Sequence, residues 1–143
     1  RVKMKKIIFV FLALMVISVA VTSCKKEEQA KPEITNFELG YDGDKTAIAG
    51  EELHMDAEVV AEGTISTIRV YIHPEGDHQL KDGDEWEVDT TYTKFSGLKN
   101  TSFHEHIDVP AEADTGHYHF HFSVVDMEGY ESEYEDELEV ILQ

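Results

Sequence analysis

From Pro32 onward, apolar side chains recur at every second position in short segments separated by Gly, Asp, Asn and Pro, and no segment sustains a helical repeat. A period of two buries one face of an extended strand and leaves the other to solvent. The region is therefore expected to be all-β, with about seven strands. Strand A is Ile34 to Leu39, followed by a turn at Gly40-Tyr41-Asp42-Gly43-Asp44. Strand B is Glu52 to Ala61, with Leu53, Met55, Ala57 and Val59 inward, and strand C is Ile65 to His73, with Ile68, Val70 and Ile72 inward. Strand D lies around Trp86 to Phe95, and strand E is Ser102 to Val109 with Phe103, Ile107 and Val109 inward. Strand F is Gly116 to Val125, with Tyr118, Phe120, Phe122 and Val124 inward, and strand G is Glu137 to Leu142, with Leu138, Val140 and Leu142 inward. Short strands with regular turns predict an immunoglobulin-like antiparallel β-sandwich.

Ahead of that region the pattern changes. Arg1, Lys3, Lys5 and Lys6 form a basic head, and the run from Ile7 to Val21 is apolar except for Ser18. This is the layout of a secretory signal. The run is shorter than the ~20 residues of a spanning helix and lacks a basic stop-transfer flank. It ends in Val21-Thr22-Ser23-Cys24, which resembles the lipobox of bacterial lipoproteins, where cleavage precedes the cysteine and its sulfur takes a diacylglycerol. The expected organisation is a lipoprotein signal peptide over 1–23, a lipidated Cys24 with a flexible tether over 24–31, and one sandwich domain over 32–143. Lys25-Lys26-Glu27-Glu28 also resembles the signals that carry Bacteroidota lipoproteins to the cell surface. The expected location is the cell envelope, lipid-anchored to the outer membrane, with surface exposure implied by that second resemblance.

The segment through Cys24 holds 4 of the 12 basic residues and none of the 30 acidic ones, leaving 8 basic against 30 acidic residues, a net −22. Such a surface repels nucleic acid and anionic headgroups and attracts cations or basic partners. The acidic run from Glu128 to Glu139 reads as a solvated tract that aids solubility. Cys24 is the only cysteine, so the domain has neither a disulfide nor a thiolate metal site and relies on its hydrophobic core.

All eight histidines follow the tether, and their strand phases carry the functional signal. His54 and Asp56 fall on the outer face of B, and His104, His106 and Asp108 on that of E. His117, His119 and His121 share the outer face of F, and His73 ends C on its outer face. Imidazoles at i, i+2 project to one side of a strand. In a sandwich where B pairs with E and C with F, His54 approaches His106 and Asp108, and His73 approaches His117 and His119. Both groups fall at one end, beside the loop that carries Asp77 and His78. The candidate metal ligands are His73, His117 and His119, joined by His54, His106, His78, Asp108 and Asp77. Imidazoles with carboxylates and no thiols suit a transition metal ion, zinc or copper. Two other readings stay open: solvated surface histidines, and a cluster that charges in mildly acidic conditions and acts as a pH switch. Asp42-Gly43-Asp44 and Asp82-Gly83-Asp84 are ordinary turn sequences without an EF-hand continuation. With no Gly-x-Ser-x-Gly, zincin or phosphate-loop motif in the chain, no enzymatic activity is expected.

Three phrases have a further resemblance: Ile72-His73-Pro74, Phe103-His104-Glu105-His106-Ile107-Asp108-Val109-Pro110, and Gly116-His117-Tyr118-His119-Phe120-His121-Phe122 leading to Val125-Asp126. Over roughly Pro32 to Leu142 the chain resembles a family of small Bacteroidota lipoproteins catalogued as a domain of unknown function, number forty-six twenty-five. The resemblance implies an immunoglobulin-like fold and a lipid anchor, and the family has no settled activity that would choose between functions. Two functions are then expected to compete. One is metal capture, buffering or handover in the cell envelope, with an outer-membrane transporter or another surface protein as partner. The other is a surface interaction or adhesion module binding protein or glycan without a metal.

Overall fold

The computed structural model describes residues 30–76 and 85–143. Among them eight strands form: β1 (Glu33–Leu39), β2 (Thr46–Ile48), β3 (Glu52–Val60), β4 (Ile65–Pro74), β5 (Val88–Tyr92), β6 (Asn100–Asp108), β7 (Gly116–Asp126) and β8 (Glu131–Ile141). They make two sheets, in the orders β1-β3-β6 and β2-β8-β7-β4-β5, packed as a sandwich. The pairings of B with E and C with F expected from the sequence are present as antiparallel β3–β6 and β4–β7. Strand D joins C, as β5 beside β4.

The core follows the alternation. Leu53, Met55, Ala57 and Val59 of β3 and Tyr118, Phe120, Phe122 and Val124 of β7 are all buried, while the residues between them face outward. Rings from the two sheets interlock: Phe103 of β6 meets Phe122 of β7 edge-on at 4.9 Å, and Phe37 of β1 meets Phe120, Phe122 and Tyr134 at 5.4, 5.0 and 4.3 Å. Phe37 reaches inward because β1 bulges between Thr35 and Glu38, where Asn36 takes a positive φ of 51°. Each fully buried phenylalanine contributes about 1.5–3 kcal/mol relative to an exposed one.

The strand boundaries differ from expectation in three places. β2 is only Thr46–Ile48, too short to show a period, and runs parallel to Glu139–Ile141 of β8. β5 is confined to Val88–Tyr92, with Trp86 and Phe95 buried just outside its ends. β8 begins at Glu131, not Glu137, so most of the acidic run is strand, and it ends at Ile141, which leaves Leu142 exposed and not inward. Its outward phase is Glu131, Glu133, Glu135, Glu137 and Glu139, and its inward phase begins Ser132, Tyr134, Asp136 before turning apolar at Leu138. Polar residues in the inward phase hide the alternation. They are nevertheless satisfied, since Tyr134 stacks on Phe37 and donates to Asp136 Oδ2 at 2.5 Å, and Lys45 Nζ reaches Asp136 Oδ1 at 2.9 Å. In the β7–β8 turn Asp126 Oδ1 accepts from the N–H groups of Glu128 (2.9 Å) and Tyr130 (2.8 Å). The expected signal peptide, Cys24, Asp77, His78 and the Asp82-Gly83-Asp84 sequence lie outside the described residues.

Candidate metal centre

Outward positions of β3 and β6 meet in register, with His54 opposite His106 and Asp56 opposite His104. One nitrogen from each of His54, His104 and His106 lies within 4.8 Å of the other two. His104 Nε2 and His106 Nε2 are 3.4 Å apart. Two imidazole ligands on a tetrahedral Zn²⁺, with Zn–N of 2.0–2.1 Å, stand about 3.3–3.4 Å apart. The opposite ring nitrogens face carboxylates: His104 Nδ1 donates to Asp56 Oδ2 at 2.9 Å, and His106 Nδ1 lies 3.6 Å from Glu52 Oε2.

His54 is the anchored member, its side chain 12% exposed against 59% for His104. Its Nε2 lies 3.1 Å from Asp56 Oδ2, and its Nδ1 is buried with no hydrogen-bond partner among the described residues. Tyr41 covers the ring in a parallel stack at 5.3 Å. The backbone that places Tyr41 there requires glycine before it. Gly40 sits at φ 77°, ψ 175°, donates to His54 O at 2.9 Å, and has no room for a Cβ against the Asp44 side chain and Lys45 N. Asp44 in turn accepts from Thr46 N at 3.0 Å, so the Asp-Gly-Asp sequence does turn chemistry, as expected.

A second group occupies the outer face of the other sheet. There His73 is opposite His119 and Tyr71 opposite His121 across β4–β7, and His121 is opposite Glu135 across β7–β8. His121 Nδ1 lies 3.1 Å from Glu133 Oε1 and 3.5 Å from Glu135 Oε1. His73 stacks nearly parallel on His121 at 5.4 Å and meets His119 at 5.2 Å. With Nδ1 protonated, His73 donates to Pro74 O at 3.1 Å, leaving Nε2 as its lone-pair nitrogen. An open groove of about 370 Å³ is lined by Arg69, Tyr71, His73, His121, Ser123, Glu133 and Glu135. Arg69 is engaged by Asp89 in a two-point hydrogen bond at 2.7 and 2.9 Å, which holds the Asp89 carboxyl below its ordinary range. A hydrogen bond to Glu87, with burial, raises the Tyr71 phenol, so Tyr71 presents a neutral hydroxyl.

The expected site residues therefore divide. The structure brings His54 beside His106 and His73 beside His119, but on the outer faces of different sheets with the core between them. Asp108 lies opposite Glu52 and His117 opposite Glu139, and among the described residues neither belongs to a convergent group of three ligands. Asp77 and His78 fall outside the described residues. His104, His121, Asp56, Glu133 and Glu135 enter instead. The histidine phases were legible at i, i+2. The glutamates depended on the β7–β8 register, which a tract read as solvated conceals.

The family profile described as "Domain of unknown function (DUF4625)" matches residues 22–141. No curated protein matches the chain. Among solved structures the chain is similar to OgpA from Akkermansia muciniphila, at 14% identity and a TM-score of 0.55 over 79% of this chain and 29% of that one. It is also similar to a DUF4466 family protein from Parabacteroides merdae, at 15% identity and a TM-score of 0.50 over 77% of this chain and 45% of that one. The chain thus spans less than half of either protein, and the likeness is one of fold.

Proposed function

This chain belongs to the DUF4625 family, and we propose that it is a metal-binding lipoprotein of the cell envelope that holds Zn²⁺ or Cu²⁺ through His54, His104 and His106. The observation that carries the reading is the 3.4 Å approach of His104 Nε2 to His106 Nε2. Without a cation the arrangement is frustrated. His104 gives its Nδ1 proton to Asp56, so its Nε2 is a lone pair, and a neutral His106 must donate to it through Nε2. That leaves the His106 Nδ1 lone pair facing the Glu52 carboxylate at 3.6 Å. A metal ion between the two Nε2 atoms removes the conflict: both nitrogens give it lone pairs, and both Nδ1–H groups face carboxylates. Metal-ligating histidines commonly have this backing.

The site is graded in accessibility, and that supports capture and handover over permanent storage or catalysis. Binding through His54 Nε2 leaves a proton on its buried, unpartnered Nδ1, at a cost of about 1–3 kcal/mol. His104 and His106 lie on β6, an edge strand of its sheet, where an incoming ligand set can reach them. Lipid on Cys24 would keep the site near the membrane and a transporter or another surface protein there.

The test is calorimetric titration of Zn²⁺ and Cu²⁺ into the whole untagged chain in detergent. The His104→Ala/His106→Ala variant is expected to lose the tightest binding phase, while His117→Ala retains it. If wild type binds neither ion more tightly than the double variant, the histidines do not form this metal centre, and the interaction-module reading takes its place.

A further inference from the structure

The opposite face carries a different donor set. We infer that His121, Glu133 and Glu135 form a second, independent divalent-cation site, oxygen-rich and open to water, suited to a harder ion such as Mn²⁺. This does not depend on the three-histidine centre, because the two groups lie on the outer faces of different sheets.

The site arises from one position in a regular pattern. Along β8 the outward residues are all glutamates, from Glu131 to Glu139, and strand geometry sets neighbours on one face about 6.8 Å apart. Opposite them on β7 stand Val125, Ser123, His121, His119 and His117. Glu135 is the direct partner of His121, and Glu133 is the partner of Ser123. Serine is short, so Glu133 leans diagonally across it and reaches His121 Nδ1 at 3.1 Å. Two carboxylates thus bracket one imidazole nitrogen, with all three ligand atoms within 4.8 Å. Among the described residues no Lys or Arg makes an ion pair with either glutamate, and the nearby Arg69 is engaged by Asp89.

The donor chemistry decides the ion. Three imidazoles favour Cu²⁺, Ni²⁺ and Zn²⁺, whereas carboxylates and water suit Mn²⁺, with one imidazole tilting the site toward first-row metals and away from Ca²⁺. Water from the groove fills the remaining positions. The cation also offsets the repulsion between successive glutamates on β8, a stabilisation that the three-histidine centre does not supply.

Free Mn²⁺ has an EPR signal that bound Mn²⁺ loses, so bound ion is counted directly on the whole chain in detergent. Wild type and His104→Ala/His106→Ala are expected to bind one Mn²⁺ with equal affinity. Glu133→Gln/Glu135→Gln and His121→Ala are expected to bind it about tenfold or more weakly, and the control Glu137→Gln/Glu139→Gln to match wild type. Circular dichroism checks that every variant is folded. Two results would overturn the inference: equal weakening by the control pair, meaning diffuse attraction to an acidic strand, or undiminished binding in Glu133→Gln/Glu135→Gln. A wild type that binds Mn²⁺ but shows no Zn²⁺ phase tighter than that of His104→Ala/His106→Ala would sink the three-histidine reading and leave this one standing.

Discussion

Asp56→Asn isolates what backs the three-histidine centre. The Asp56 carboxylate accepts from His104 Nδ1 at 2.9 Å, on the ring nitrogen away from the metal-facing Nε2, so it orients that ligand. Asparagine keeps the size but removes the charge that makes imidazole a better donor. Loss of such a backing contact costs about 10–100-fold in metal affinity, or about 1.4–2.7 kcal/mol. Glu52→Gln is the matched comparison, because Glu52 is 3.6 Å from His106 Nδ1, beyond a hydrogen bond, and its side chain is 60% exposed. An exposed pair of that kind is worth about 0.2–1 kcal/mol, so the loss should stay within about fivefold. Competition for Zn²⁺ against a chromophoric chelator at fixed pH measures both. Equal affinities for the two variants would refute the claim that hydrogen-bond distance, and not bulk negative charge, sets the effect. An Asp56→Asn protein that binds like wild type would refute the orienting role altogether.

Three other outcomes follow from the packing. Phe122→Ala removes a fully buried ring that touches Phe103 and Phe37, and should cost about 3–5 kcal/mol of stability in chemical denaturation; Ser123→Ala, one residue along on the outward face, should stay within about 0.5 kcal/mol. Gly40→Ala places a side chain at φ 77°, ψ 175° against Asp44 and Lys45, and should lower stability by about 1–3 kcal/mol while shifting the Tyr41 ring off His54, visible as a change in Tyr41 NMR contacts. Burial raises the Asp136 carboxyl, but hydrogen bonds from Lys45, Tyr134 and the Glu137 N–H outweigh it, and its net pKa is lowered. A lowered carboxyl stabilises the fold above its unfolded value and loses that contribution as pH falls. The melting temperatures of wild type and Asp136→Asn should therefore differ at neutral pH and converge between about pH 5 and about pH 2, with a constant gap arguing against the linkage. Tyr134 is pushed up to about 12 by burial and then by Asp136, so the pair should show no change near neutrality.

The sandwich was legible because burial on one face imposes a period of two, and β3, β4, β6 and β7 each carry it in apolar residues. Where the inward phase is polar, as at Ser132 and Asp136, the period disappears from hydropathy though the backbone still pairs. β2 was illegible because three residues cannot show a repeat. For the site, phase put His104 and His106 on the outer face beside His54, but phase says nothing of how far side chains lean. Distances therefore favoured His104 and Asp56 over Asp108, and His121 over His117.

The sequence by itself determined which face of each strand every histidine occupies, because alternation leaves no choice once the apolar residues are inward. Only the tertiary structure decided which histidines share a site. Sheet membership put the two groups on opposite outer faces of the sandwich, so they cannot share one ion. Register did the rest: it set His54 against His106, and it set His121 against Glu135 across a tight β7–β8 turn whose geometry no hydrophobic pattern records.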